Sequence, residues 1–529
     1  MLKCLVQRKC LAGHKCGKAA QRKRLAGQVR GKAKRGKMGV LMGRDRIVRG
    51  LLLLAATIIL AAGCGEGREQ EELPVSREEP ARLVYYTIGE PDEGLEEVEK
   101  ALNELLLERY GFTVSYNRVG WNDYEAKLDS LFSTDGKFDI AFAWTDNYVE
   151  NALSGNWLDL TDYMEGTCAE TYAAVNDKLW KGAAVNGCIY GIPTNKELAV
   201  PMYFLYDREL VEKYDIDISR YPTLESMEPL LRTVFNEEPE YIPLFMSNSN
   251  VNFASMGGYE YVTYADIPLV IRTEDASATV VNLYETEYCR ELLDTLHKYY
   301  TAGYINEDAS VRTSFSRFQG EKVFLRIASG GPESDVSFSS TFGYPIVAQC
   351  ANNLVVTSES ALGGVMAVNA RTMHPEECAV FLNAVNTDPD IRNLLNYGVE
   401  GLHYELNEDG QVTYLSDDYR GVPYTQGNWF ILKTVAGENP DKWEVYREFN
   451  DIAIESPILG FIPELSGFDA ECDNVSQVCR KYENALMTGT VDPEEFLPKL
   501  QDALEQAGIG TLQRELQRQI DLWISSGRT

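Results

Sequence analysis

The chain has 529 residues, 44% hydrophobic and 25% charged, which is room for several folded units and excludes a disordered or collagen-like polymer. Its net charge of −30 is unevenly spread: residues 1–63 hold 16 Lys or Arg against the single acid Asp45, leaving −45 on residues 64–529. So acidic a surface repels phosphate backbones and excludes nucleic acid as a partner.

In chain order, Arg44, Arg46 and Arg49 precede an apolar run over 50–63. At about 14 residues it is shorter than the roughly 20 that span hydrocarbon, and it reads as a signal peptide. The run ends in Leu60-Ala61-Ala62-Gly63-Cys64, which resembles the bacterial lipoprotein box. That resemblance implies acylation of Cys64, attachment to the membrane by lipid anchor only, and a place on the outer face of the bacterial cytoplasmic membrane. Met38 or Met42 would each open a leader of ordinary length. The cluster Cys4, Cys10, His14 and Cys16 falls within this removable segment. So does Gly31–Lys37, a near phosphate loop with Met38 where Ser or Thr is required. Residues 64–81 hold the lipidated Cys and an acidic stalk. Seven cysteines remain beyond Cys64, with Cys168 and Cys188, and Cys472 and Cys479, the pairs nearest in sequence.

Beyond the stalk, 82–88 alternates as a strand, and Leu95, Val98, Leu102, Leu105 and Leu106 mark a helix over 94–109 with Gly111 as its C-cap. Residues 112–119 return to alternation. Asn122 with Glu125 has the form of a capping box opening a helix to 133, and 138–143 is an apolar strand. This β-α-β-α-β order predicts a parallel sheet with crossover helices, whose ligands sit beyond the carboxyl ends of the strands. Those ends are 87–92, 119–123 and 144–147. Residues 199–345 mix helices and short strands. Helices are predicted from Pro375, after the Thr387-Asp388-Pro389 cap, from Val491-Asp492-Pro493, and over 511–524 beyond Gly508.

Catalytic and cofactor signatures are missing. His297, His374 and His403 lie far apart, no C-x-x-C or H-E-x-x-H occurs, and no G-x-S-x-G or G-x-G-x-x-G follows a strand. No catalytic residue, metal or cofactor is expected. With 80 acids, paired carboxylates arise by chance, so a surface glycoside hydrolase stays open as an alternative. For His403 a structural or hydrogen-bonding role is preferred to catalysis.

Several ordered segments resemble the extracellular solute-binding lipoproteins of carbohydrate-type ABC importers. They are Phe138–Phe142 followed by Trp144–Asp146, Gly155–Leu160, Cys188–Pro193, Met202–Asp207, Phe318–Val323 (with an extra Glu321) and His374–Leu382. Gly398–Tyr404 and the helical tail, including Gly489–Pro493, are similar to a branch labelled as aldouronate or complex-polysaccharide uptake proteins. The resemblance spans 82–526. It implies an α/β, two-lobed periplasmic-binding-protein-like (type II) fold with a hinge and a helical C-terminal extension. The first lobe would comprise 82–198 and 346–402, the second 199–345 and 403–529. It further implies a monomer that captures a sugar or oligosaccharide and delivers it to permease subunits. A ligand-sensing lipoprotein uncoupled from transport would look the same.

Sugars present apolar faces and a rim of hydroxyls, so a cleft needs aromatic rings with carboxylates or amides beside them. Strand-end position and the resemblance together nominate Glu90, Asp92, Trp121, Trp144, Asp146 and Asn147 in the first lobe. Ser247, Asn248, Tyr259 and Trp429 are nominated in the second, and Glu400, His403 and Tyr404 near a lobe crossing. An anionic uronate ligand would need a cation in the cleft, for which Arg118, Lys196 and Arg326 are candidates.

Overall fold

The computed structural model describes residues 80–134, 137–248, 251–263, 265–313 and 321–527. The leader, Cys64 and the stalk before Pro80 lie outside the described residues, as does the side chain of Asp146. Apart from two short hairpins, Ala184–Val185 with Cys188–Ile189 and Tyr404–Leu406 with Val412–Tyr414, the sheet-forming strands among the described residues are β1 (Arg82–Ile88), β2 (Thr113–Val119), β3 (Ile140–Ala143), β4 (Gly191–Pro193), β5 (Met202–Asp207), β6 (Tyr241–Leu244), β7 (Tyr259–Tyr261), β8 (Leu269–Arg272), β9 (Val281–Asn282), β10 (Lys322–Ser329), β11 (Ile346–Cys350), β12 (Val355–Val356), β13 (Val365–Val368) and β14 (Ile454–Glu455).

The first sheet has the order β2-β1-β3-β13-β4, with β1, β2 and β3 parallel. The late strand β13 enters antiparallel to both β3 and β4. Helix α1 (Leu95–Tyr110) buries Val98, Leu102 and Leu106, the periodic positions, and ends at Gly111 with φ 80°, where only glycine is unstrained. Helix α2 (Tyr124–Ser133) follows β2. Its N-cap is Asp123, without a side-chain capping bond, in place of the expected Asn122–Glu125 box. The Gly120 carbonyl accepts from the backbone N–H groups of Asp123 and Tyr124 there, so the chain turns one residue later. Helix α3 (Thr145–Leu153) follows β3 directly.

The second sheet has the order β11-β5-β10-β6, and a third, β9-β8-β7, is antiparallel throughout. Helix α4 (Glu287–Thr301) contributes to both of their cores. Helix α5 (Ser334–Phe342) follows β10. Helices α6 (Pro375–Thr387) and α7 (Pro389–Tyr397) pack on the first sheet, and Asp388 caps α7 as predicted. Helix α8 (Lys442–Ile452) leads back towards the crossings. The tail forms α9 (Asp469–Leu486), α10 (Pro493–Ala507) and α11 (Ile509–Ser525), with Asp492 and Gly508 at the expected boundaries. The tail shares one core with the third sheet.

Two lobe boundaries differ from the sequence expectation. Residues 346–350 pair with β5 and so belong to the second sheet. Residues 403–453 join the first lobe: Tyr419 Oη donates to Leu395 O at 2.8 Å, and Asn393 Nδ2 donates to Ile431 O at 3.0 Å. Weak periodicity in this loop-rich stretch concealed that return. The cysteine pairs do not form disulfides. Cys168 and Cys188 are free thiols. Cys472 and Cys479 share α9, seven residues or about 10 Å apart along its axis, beyond disulfide reach.

Three chain segments cross between the sheets side by side. Asn450 Oδ1 accepts from Leu198 N at 2.9 Å, and its Nδ2 donates to Lys196 O at 3.0 Å. Ser360 Oγ donates to Leu198 O at 2.7 Å, and β12 pairs in parallel with β14. Next to this bundle, Ser456 Oγ donates to Glu260 on β7. Burial pushes the Glu260 carboxyl up to about 8, with Glu359 adding to the rise and the Ser456 bond opposing it. The folded protein therefore holds a proton that the unfolded carboxyl releases near its ordinary 4.5. The associated stability is full below that value and lost as pH rises towards 8. Tm should decline across pH 5–8, by at most about 1.4 kcal/mol of stability per pH unit, and Glu260→Gln should flatten that profile in a pH series of thermal unfolding.

Candidate functional site

The carboxyl ends of β1, β2 and β3 gather aromatic rings from distant parts of the chain. Trp121, just past β2, stacks on Tyr424 with ring centroids 5.7 Å apart and planes 22° apart. Phe142 lies edge-on to Tyr424 and stacks on Trp144 at 5.5 Å. Trp121, Trp144 and Tyr424 are all half-buried, so their rings keep accessible surface. Polar atoms surround them. The Glu90 carboxylate lies over Gly120 and is exposed. Asn147 Oδ1 accepts from Trp144 N at 2.9 Å, which closes the first turn of α3. Its Nδ2, and the Oγ1 of Thr145, are buried without a partner among the described residues.

Tyr424 reaches this place because segment 419–428 is held tightly against the first lobe. A Cβ at Gly364 would lie 2.3 Å from Tyr424 O, and one at Gly421 would lie 2.4 Å from Leu395 O. Thr194 Oγ1 donates to Tyr424 O at 3.1 Å. Pro423 O accepts from both Trp429 Nε1 at 2.8 Å and Arg392 Nη2 at 3.0 Å. Arg392 is fully buried among tyrosines, and burial lowers its pKa to about 10. It remains a cation at neutral pH, anchoring the platform segment from beneath.

The structure brings Glu90, Trp121, Trp144 and Asn147 together around one surface. Apart from Asp146, whose side chain lies outside the described residues, it puts the other nominated residues elsewhere. Asp92 accepts from Arg118 Nη1 and from Arg420 N, so it pins segment 419–428 rather than facing a ligand. His403 is buried, and its Nδ1 accepts from Val399 N at 2.9 Å. Burial lowers its pKa and keeps the ring neutral. Tyr404 and Trp429 fill a small core with Tyr397 and Leu432. Glu400 and Tyr404 line an outer groove of about 690 Å³ with Glu104 and Glu108, beside α1 and α7. Tyr259 belongs to the core of the third sheet. Ser247 and Asn248 follow β6 at its carboxyl end, with Asn248 N donating to Arg312 O.

Sequence reasoning placed a lobe boundary after residue 198 and offered Lys196 as a cation, but it missed Glu197 and Tyr446 at this crossing. Lys196 and Glu197 are both buried, and Lys196 Nζ donates to Glu197 Oε1 at 3.0 Å. Glu197 Oε2 is buried without a partner among the described residues. Glu197 faces the second lobe, where a Cβ on Gly331 would stand 3.8 Å from its Cγ. Tyr446 sits between the two sides: burial first, then Glu197 and Glu333, raises its pKa and keeps its hydroxyl protonated. Glu333 holds φ +57°, a left-handed conformation rare outside glycine. The signal was present as a charged pair inside the apolar stretch 189–206, and as Gly330-Gly331-Pro332 ending β10.

Two α/β lobes joined by three crossings, with an aromatic and carboxylate-bearing surface at strand ends, define a solute-binding protein of the hinged type. Residues 93–307 match the family of bacterial extracellular solute-binding proteins, and 457–525 match a domain of unknown function (DUF3502). The chain therefore carries a bacterial extracellular solute-binding domain. It is 28% identical over 494 residues to a carbohydrate ABC transporter substrate-binding protein of Streptococcus pneumoniae serotype 4, covering 89% of this chain and 97% of that one. The crystal structure of the N-glycan transport solute binding protein NgtS from Streptococcus pneumoniae superposes with a TM-score of 0.77 at 28% identity, over 84% of this chain and 99% of that one. The same protein in complex with Man5GlcNAc covers the same shares at 28% identity but gives 0.64.

Gly421→Ala should lower Tm, because the added methyl meets backbone rather than a movable side chain. An overpacking cost of about 1–3 kcal/mol is expected, read by thermal or chemical unfolding.

Proposed function

We propose that this chain is a lipid-anchored, extracellular solute-binding protein that captures an oligosaccharide between its lobes and presents it to the permease of an ABC importer. The observation that carries this reading is the half-buried Trp121–Tyr424 stack at the carboxyl ends of the first sheet. Sugar rings offer apolar C–H faces to such platforms, while Glu90, Asn147 and Thr145 supply hydrogen bonds for the hydroxyl rim. The similarity to a carbohydrate transporter protein and to NgtS in complex with glycans supports the same ligand class. Those relatives are substrate-binding proteins, which fits a chain that holds its ligand without transforming it.

The anchor rests on the Leu60–Cys64 sequence. Acyl chains on Cys64 would supply the attachment. Among the described residues no helix is long and apolar enough to cross a membrane. We place the protein as a monomer on the outer face of the cytoplasmic membrane. There the three-segment crossing would allow closure upon the sugar, and the closed form would be what the permease reads.

Thermal unfolding against a panel of oligosaccharides, with monosaccharides and short peptides as controls, tests the reading. Ligand at about 100 times its Kd should add about 2.7 kcal/mol and raise Tm by several degrees. Trp121→Ala and Tyr424→Ala should each weaken binding roughly tenfold, near 1.4 kcal/mol, and should also lower the unliganded Tm, because each ring packs against the core. A panel without any shift, or a sugar cleaved during incubation, would overturn it.

A further inference from the structure

We infer that the face of the first lobe opposite the aromatic platform docks on anionic phospholipid, through a pocket rimmed by Arg82, Lys137 and Arg371 with Met373 at its lip. The inference rests on the lipid-anchored part of the proposed function and goes beyond it by naming the face that lies on the bilayer.

Sheet topology fixes where this pocket is. Strands β1 and β3 are parallel, and β13 runs antiparallel to β3. The start of β1 at Arg82, the approach to β3 at Lys137 and the exit from β13 at 369–374 therefore share one edge of the sheet. It is the edge remote from Trp121 and Trp144. There, with the end of α2, these segments enclose a pocket of about 440 Å³. Phe132 and Phe138, edge to face with centroids 5.2 Å apart, form an apolar wall. Lys137, Arg371 and Met373 are exposed, Met373 by 85%.

The charge at the mouth is positive. Asp139, the acid of the lining, accepts from Val84 N at 2.7 Å and from Thr372 Oγ1 at 2.6 Å, so its carboxylate ties the three segments together. Arg82 lies 3.6 Å from Glu99 with its own side chain 65% exposed, a weak surface pair. Glu376 and Glu377, which open α6, are not part of that lining, and Glu376 bonds to Tyr163. Residues 64–529 carry −45, but charges elsewhere on the chain are screened beyond about 8 Å at physiological salt, so the local sign decides.

The tether selects the occupant. The chain enters the first lobe at Pro80, two residues ahead of Arg82, and only 16 residues separate Pro80 from Cys64. These span at most roughly 58 Å fully extended, so acyl chains on Cys64 hold this edge beside the headgroups. Tethering makes the contact intramolecular, and a few weak contacts then suffice. Each Lys or Arg at an anionic lipid surface favours contact about fivefold, and a flexible methionine beside an apolar wall suits the interfacial layer. In this posture the Trp121–Tyr424 surface faces away from the bilayer, towards arriving solute. A permease lies in the bilayer, so delivery requires the docked face to let go.

The test uses the full acylated protein, reconstituted in vesicles of phosphatidylcholine alone or of phosphatidylcholine with phosphatidylglycerol. Flotation reports the anchor, and hydrogen exchange read by mass spectrometry reports the covered face. The expected result is flotation with both vesicles. Amide exchange over 369–374 should be at least about threefold slower on the phosphatidylglycerol vesicles, with exchange over 119–124 unchanged. High salt should remove the slowing. Lys137→Glu and Met373→Asp, both at exposed positions, should each reduce it without changing flotation or Tm. Flotation with equal exchange on both vesicles, slowing that persists in both variants, or slowing over 119–124 instead overturns the inference and leaves the anchor standing. Failure to float with either vesicle overturns the anchor and the docked face together.

Discussion

The architecture depends on how three strands of chain pass from one sheet to the other without leaving their backbones unpaired. A crossing between two cores is exposed to bending and yet partly shielded from water, so each N–H and C=O needs a partner that survives motion. Asn450 meets this by serving as donor and acceptor to the first crossing at once, and Ser360 ties the second crossing to the same residue, Leu198. The β12–β14 ladder closes the third side. These bonds run between crossings rather than between lobes, so rotation of one lobe against the other need not break them. The buried Lys196–Glu197 pair sits within that bundle. Its two opposite charges offset each other inside the crossing.

Much of the first lobe was legible from sequence because its signals are local. The β1 boundaries, the α1 periodicity with Gly111, and the Asp388 and Asp492 caps all depend on residues within a few positions of each other. The order of elements then fixed a parallel sheet and directed attention to its carboxyl ends, where Trp121, Trp144 and Glu90 do assemble. What escaped is what depends on distant pairing. Tyr424 completes the aromatic platform from 303 residues beyond Trp121, and its loop has no period to mark it. Asp92 was nominated by position alone, but Arg118 and the 419–428 backbone compete for the same carboxylate and win it.

The histidine and tryptophan nominations show a second limit. Residue type gives chemical capacity, and burial decides whether that capacity is available. His403 spends one ring nitrogen on Val399 N, and Trp429 spends its indole N–H on Pro423 O. Trp429 holds the platform segment from behind, while His403 closes the 399–403 turn and lies against the Tyr419 ring. Motif resemblance cannot distinguish such supporting positions from exposed ones.

Segment 419–428 has a consequence for how such a protein diversifies. It is anchored at Pro423 by a buried guanidinium and an indole, and at Tyr424 by a threonine hydroxyl, all acting on backbone carbonyls. Contacts to carbonyls are indifferent to the side chain they support. Position 424 can therefore exchange its ring for another without disturbing the scaffold below. Under the proposed function, inheritance could retune the menu of sugars by point changes at the loop surface while the backbone anchors at 423 and 424 stay as they are.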